Sequence, residues 1–287
     1  MLIRRLLAAT DETLGGRHAV HVAHDLARAL AARLTILTVT AVDGRSRFPA
    51  GRLISSKAPG GSSGAPQLEE FRAWLGESRS NGLPEPPEIA VGFGVAGIEI
   101  GRVADQRAAD LIVLGRQPRS PDHRLMLGET ADALVRRSGV PTLFVPPQIS
   151  AFHRIVVGLD GSDRTLGLLH LAIGLARATG ARLEAITVEP PLADNATVPG
   201  SMPQGRTVRL CEALGGIGSR DPEGGTVPVV VRRGNPIEEI LLYVRETQAD
   251  LLVIGYRRGG PPKIVGLEDV ARNLLFSAPS AVLTIPL

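Results

Sequence analysis

The stretch DLARALAARLTILTV, Asp25 to Val39, returns later in the chain as GLARATGARLEAITV, Gly174 to Val188. Leu-Ala-Arg-Ala, Ala-Arg-Leu and Thr-Val recur at an offset of 149 residues, so the second half of the chain repeats the first. Upstream of the quoted stretch Ala19, Val22, Ala23, Leu26 and Leu30 keep helical spacing, and Leu34–Val39 follows as an apolar run. A helix delivering a strand, twice over, is the expected unit.

Moving outward, AADLIVLG (Ala108 to Gly115) matches QADLLVIG (Gln248 to Gly255), now at an offset of 140. The first copy therefore holds nine extra residues between Val39 and its next strand, where Pro59-Gly60-Gly61-Ser62-Ser63-Gly64 has the composition of a surface loop. Pro146-Pro147 stops a strand and the second copy starts near Phe152, which divides the chain into domains at 1–149 and 150–287.

Short apolar runs alternate with amphipathic ones, the pattern of βαβ units around a parallel sheet. Strands are expected at Ile3–Ala9, Leu34–Val39, Glu88–Phe93, Leu111–Leu114 and Thr142–Val145, then at Arg154–Leu159, Leu183–Val188, Pro228–Val231, Leu251–Ile254 and Ala281–Ile285. Leu-Ile-Val-Leu and Leu-Leu-Val-Ile show no polar alternation, as befits central strands covered on both faces. Val103-Ala104 and Ala131 to Val135 supply further helical spacing.

Composition narrows the function. Apolar residues make up 44% and charged residues 21%, enough to fold two cores from 287 residues. The net charge of +3 arises from 32 basic and 29 acidic residues, and with only six Phe, two Tyr and one Trp there is no basic, aromatic-interleaved surface for nucleic acid. No run of about 18 apolar residues appears, so no membrane partner is expected. One cysteine, Cys211, in the apolar context of Leu210, Ala213 and Leu214, reads as packing, and a cytoplasmic protein is expected. His18, His21 and His24 recur every third residue opposite the apolar stripe, where a solvated face is the simpler reading than a metal site. No Walker loop, nucleophile elbow or dinucleotide fingerprint signals a dedicated enzyme.

The candidate site lies where the strand order is expected to reverse, at the carboxyl ends of the first and fourth strands. Thr10-Asp11-Glu12-Thr13 follows the first strand of copy one, and Leu159-Asp160-Gly161-Ser162 that of copy two. The fourth strands end at Gly115 and Gly255, each followed shortly by a helix whose N-terminal amides and dipole suit phosphate.

With Val-Gly-Leu-Asp-Gly-Ser at 157–162, Gly-Asn-Pro at 234–236 and the two Ala-Asp-Leu fourth strands, the chain resembles the tandem members of the universal stress protein family over nearly its whole length. The resemblance implies a tandem pair of five-stranded α/β domains of the Rossmann-like, adenine-nucleotide-hydrolase type. It implies ATP held, in some members, by a motif of glycine, two residues, glycine, nine residues, glycine, then Ser or Thr. In copy one the motif positions are Gly115, Pro118, Gly128 and Glu129, with Thr130 one place on. Pro118 lacks an amide donor and Glu129 puts a carboxylate where phosphate would sit, while Arg116, Arg119 and Arg124 offset that charge. Copy two keeps Gly255 but has Arg258, Glu268 and Asp269 at the other positions, with Arg257 and Lys263 nearby.

The expected site is thus Asp11, Val39, Gly115, Gly128, Glu129 and Thr130 in domain 1, with a second, less complete set in domain 2 at Asp160, Gly161, Ser162, Val188 and Gly255. The resemblance implies a stress-response regulator whose ATP or related adenine nucleotide, with or without Mg²⁺, alters its meeting with a protein partner. A nucleotide-free scaffold is the rival, and slow ATP hydrolysis needs a water-positioning base that the sequence does not identify. The family's last-strand pairing implies an intramolecular pseudo-dimer between Thr142–Val145 and Ala281–Ile285, with a homodimer as the alternative.

Overall fold

The computed structural model describes residues 3–42, 49–57, 66–75, 82–116, 129–160, 165–189, 227–256 and 267–287. The chain divides into two compact units, Leu2–Ser150 and Ala151–Leu287. Gly128, Gly161, Ser162, Pro118, Arg119, Arg124, Arg257, Arg258, Lys263, Cys211 and the Pro59–Gly64 loop lie outside the described residues.

In the first unit the elements run β1 (Arg5–Thr10), α1 (Leu14–Ala29), β2 (Arg33–Thr40), β3 (Leu53–Ser55), α2 (Pro66–Leu75), β4 (Glu88–Phe93), α3 (Ala96–Gln106), β5 (Leu111–Gly115), α4 (Glu129–Arg137) and β6 (Thr142–Val145). The sheet order is β3-β4-β2-β1-β5-β6. All neighbours are parallel except β3, which runs antiparallel to β4. The second unit has β7 (Arg154–Gly158), α5 (Thr165–Thr179), β8 (Arg182–Glu189), β9 (Val229–Arg233), α6 (Pro236–Glu246), β10 (Leu251–Tyr256), α7 (Leu267–Ser277) and β11 (Ala281–Pro286). Its order is β9-β8-β7-β10-β11, parallel throughout.

Five parallel strands per unit match the expected fold, and the order reverses as expected, with β1 between β2 and β5 and β7 between β8 and β10. Leu111, Ile112 and Val113, like Leu252 and Val253, are wholly buried, which accounts for their unbroken apolar runs. The sixth strand of the first unit, β3, is an addition to the expectation. It lies between β2 and β4 in the chain and caps the β4 edge.

A buried polar cluster fastens that cap. Arg107 Nη2 donates to Glu88 Oε1 at 2.6 Å and its Nε to Oε2 at 3.0 Å. The hydroxyl of Ser55 on β3 also donates to Glu88 Oε1, and Thr35 on β2 donates to Oε2 at 3.3 Å. Burial alone would raise the Glu88 carboxyl, but hydrogen bonds from Arg107 and Ser55, the Arg107 charge and the Thr35 hydroxyl outweigh it and hold the pKa below the ordinary carboxylate value. The second unit places a different carboxylate near its outer strands: Tyr243 on α6 donates to Glu184 on β8 at 2.7 Å. Burial first, then that bond and the Glu184 charge, push the phenol up to about 12 against the opposing pull of Arg232 and Arg154.

The repeated Ala-Asp-Leu has a structural role in both copies. Asp110 Oδ2 accepts from the Arg4 and Arg5 amides at 2.8 and 3.0 Å, and Asp250 Oδ2 from those of His153 and Arg154 at 2.8 and 2.9 Å. With those amides turned to a side chain, β1 begins at Arg5 rather than at the expected Ile3.

Candidate functional site

The carboxyl edge of the first unit begins with a chain of short-range bonds after β1. Thr10 Oγ1 accepts from the Glu12 amide at 3.1 Å. Asp11 Oδ1 accepts from both the amide and the hydroxyl of Thr13, at 3.2 and 2.6 Å. The Thr13 hydroxyl in turn accepts from the Gly16 amide at 3.1 Å and so caps α1. Glu12 adopts φ 63°, and its Oε1 accepts from the Thr38 hydroxyl of β2 at 3.0 Å. Three consecutive side chains are thereby fixed at the reversal point before α1 starts.

Glycines let the backbone close around this edge. A Cβ on Gly16 would stand 2.3 Å from Thr10 Oγ1 and 2.7 Å from Asp11 Oδ1. One on Gly115 would stand 2.8 Å from the Gly15 carbonyl oxygen. Gly115 therefore brings the first turn of α1 onto the end of β5, and it does so through main chain alone. On the other face a Cβ on Gly97 would meet Ala133 Cβ at 2.5 Å and the Thr130 carbonyl at 3.3 Å, which seats the first turn of α4 against the first turn of α3. Among the expected residues, Asp11 and Gly115 thus converge at the β1/β5 edge, and half-buried Val39 sits near the end of β2, paired with Gly92 of β4. Glu129 and Thr130 open α4.

Sequence reasoning named the turn Thr10–Thr13 but gave a binding role within it to Asp11 alone, and it missed Gly16 and Gly97. The Thr13-x-x-Gly16 cap was readable as a helix start; the Glu12–Thr38 bond joins residues 26 apart and left no local signal. Leu14, the first residue of α1, is 85% exposed, and Val95 and Ile98, the N-cap and a first-turn residue of α3, are 65% and 47% exposed.

The second unit builds the same edge differently. A Cβ on Gly255 would meet side chains, Leu287 Cδ1 at 2.4 Å and Leu168 Cδ1 at 3.1 Å, instead of a helix backbone. Residues equivalent to Val95 and Ile98 are polar: Asn235 caps α6 by accepting from the Ile237 amide at 2.9 Å, and Glu238 lies in its first turn. Asp160 and Val188 are half-buried at the ends of β7 and β8.

The three histidines of α1 do not converge. His18 Nε2 lies 2.8 Å from the Ile149 carbonyl, His24 Nδ1 lies 3.7 Å from Asp25, and His21 is exposed. Among the described residues no group of three or more His, Cys, Asp or Glu side chains could hold a metal ion, and no helix is long and apolar enough to cross a membrane.

Comparison with known proteins matches the model of the Universal stress protein family to residues 2–146 and again to 151–286. No curated protein matches the chain. A universal stress protein from Archaeoglobus fulgidus is similar over 98% of this chain and 98% of its own, at 20% identity and a TM-score of 0.70. A functionally unknown protein from Pseudomonas aeruginosa covers 99% of this chain and 92% of its own, at 18% identity and a TM-score of 0.68. A universal stress protein solved in complex with cAMP covers 47% of this chain and 98% of its own, at 28% identity and a TM-score of 0.33.

Proposed function

This chain belongs to the universal stress protein family, and on that premise we propose that it is a regulatory protein binding ATP or a related adenine nucleotide in its first unit. One observation supports the choice of unit: the nearest neighbours of the glycine ending β5 are main-chain atoms of Gly15 and Gly16 in α1, whereas those of the equivalent Gly255 are the side chains of Leu287 and Leu168. On this reading the β1/β5 edge offers the first-turn main chain of α1 at the reversal point, where ligands enter parallel sheets, and the leucine side chains stand at the corresponding place of the β7/β10 edge. Nucleotide occupancy shifts the population of conformers that a partner meets under stress, by as much as the nucleotide's affinity differs between them.

The second reading, a nucleotide-free scaffold, draws support from Asp11 Oδ1, already committed to Thr13, and from Glu129 at the start of α4, where a carboxylate satisfies the helix dipole itself. Mass spectrometry of the supernatant from denatured purified protein, with calorimetric titration of the stripped protein by ATP and Mg²⁺, separates the two. Retained or bound adenine nucleotide supports the first reading and a flat titration supports the scaffold. Glu129→Ser removes the competing charge and strengthens ATP binding by about tenfold, in keeping with charge at a helix N-terminus; an unchanged affinity removes Glu129 from the account.

A further inference from the structure

We propose that His18 is a clamp on the chain that joins the two units: it holds that chain to α1 as far as Ile149, leaves Ser150 and Ala151 as the free joint, and so shields the join from proteolysis.

The clamp is one hydrogen bond between residues far apart in sequence. His18 Nε2 lies 2.8 Å from the Ile149 carbonyl oxygen, 131 positions along the chain. A carbonyl only accepts, so the ring carries a proton on Nε2; the neutral tautomer with that proton and the imidazolium both donate there. The Ile149 amide in turn closes a turn onto the Pro146 carbonyl at 3.1 Å, and the Val145 carbonyl just before it accepts from the Arg116 amide at 2.7 Å. Pro146 and Pro147 have no amide to donate. His18 is therefore what ties the far end of this turn to a helix of the first unit.

The chain is gripped again almost at once. Phe152 is 5% exposed, and the His153 and Arg154 amides donate to Asp250 Oδ2 at 2.8 and 2.9 Å. Between the two grips Ser150 and Ala151 are exposed, and neither is bonded to another described residue. A joint of two residues offers a protease little extended chain, and surface chain that cannot lift away resists nicking.

The second copy shows that the helix itself does not need the histidine. At the repeat offset of 149 the place of His18 is taken by Gly167, where a Cβ would meet nothing within 4 Å. Around it the buried positions agree, Ala19, Val20, Val22, Ala23, Leu26 and Ala27 against Leu168, Leu169, Leu171, Ala172, Leu175 and Ala176. The imidazole thus serves the segment it holds and not the packing of helix on sheet.

The test is digestion of the full chain by thermolysin, which cuts before large apolar residues such as Ile149, with the rate of that cut read by mass spectrometry. Under dilute protease the rate follows the population of the opened joint. His18→Ala raises it about fivefold, the worth of one hydrogen bond, while His18→Gln, whose amide donates with a similar reach, brings it back toward the original rate. A His18→Ala rate equal to the original, or a His18→Gln rate equal to that of His18→Ala, overturns the clamp. Should His18→Ala speed cuts throughout the chain alike, hydrogen exchange of the unsubstituted protein decides. Slow exchange at the Ile149 amide beside fast exchange at Ser150 and Ala151 upholds the clamp, and fast exchange at all three overturns it.

Discussion

At the scale of single residues the two copies act as experiments on each other. Ala31 follows the cap of α1 with φ 50°, a left-handed conformation that costs an alanine roughly 1–2 kcal/mol. The equivalent position of the second copy is Gly180, with φ 70°. Ala31→Gly therefore stabilises the first unit by about 0.5–1 kcal/mol after the glycine's own entropy is set against the relief, read as a shift in urea midpoint at constant slope. Asp110 is the opposite case: its carboxylate holds two amides at the entry to β1, and Asp110→Ala costs about 1–3 kcal/mol in the same measurement. The sequence displays the recurrence of Asp110 and Asp250 plainly but conceals its purpose, because the amides they hold lie 105 and 106 residues away in the first copy.

Elements show how one requirement is met by different residues. Gly94 and Gly234 have φ 143° and 146°, which only glycine adopts readily, and each lies against a glutamate five residues on, Glu99 or Glu239. In the first unit that glutamate pairs with Arg102 of the same helix at 2.6 Å, and in the second with Arg232 from the neighbouring strand at 3.5 Å. Where one copy has the arginine, the other has Leu242 on the helix or Gly92 on the strand. The strands themselves were legible because unbroken runs such as Leu111–Leu114 admit few alternatives. Leu53–Ser55 was not, since three residues carry no measurable period and the strand exists through its antiparallel ladder with β4, to which the Ser55–Glu88 bond adds, rather than through any local preference.

That bond gives the β3–β4 edge an acid sensitivity. The Glu88 pKa is lowered on folding, so its contribution is fully present above the unfolded value of about 4.3 and is lost as pH falls through the folded one. Hydrogen exchange of the full chain, followed as pH is lowered below 4, is expected to lose protection first along β3 and β4. Glu88→Gln flattens the acid limb of stability against pH, at the cost of lower stability near neutrality.

For the molecule as a whole, repetition carried most of the information. Two copies, five parallel strands apiece and a reversal beside the first strand all followed from matching Asp25–Val39 with Gly174–Val188, since a duplicated βαβ pattern leaves few topologies. What divides the two candidate sites was hidden, because the residue over Gly255 is Leu287, 32 positions further on. Leu287 gives the second unit a practical use. On the proposed reading, the edge beside Gly255 is an internal control within the same polypeptide, at the same concentration and in the same buffer as the first unit. When ATP is added, amides at the start of α1 are expected to slow their exchange while those at the start of α5 keep their rate, and any slowing common to both reports nonspecific adsorption.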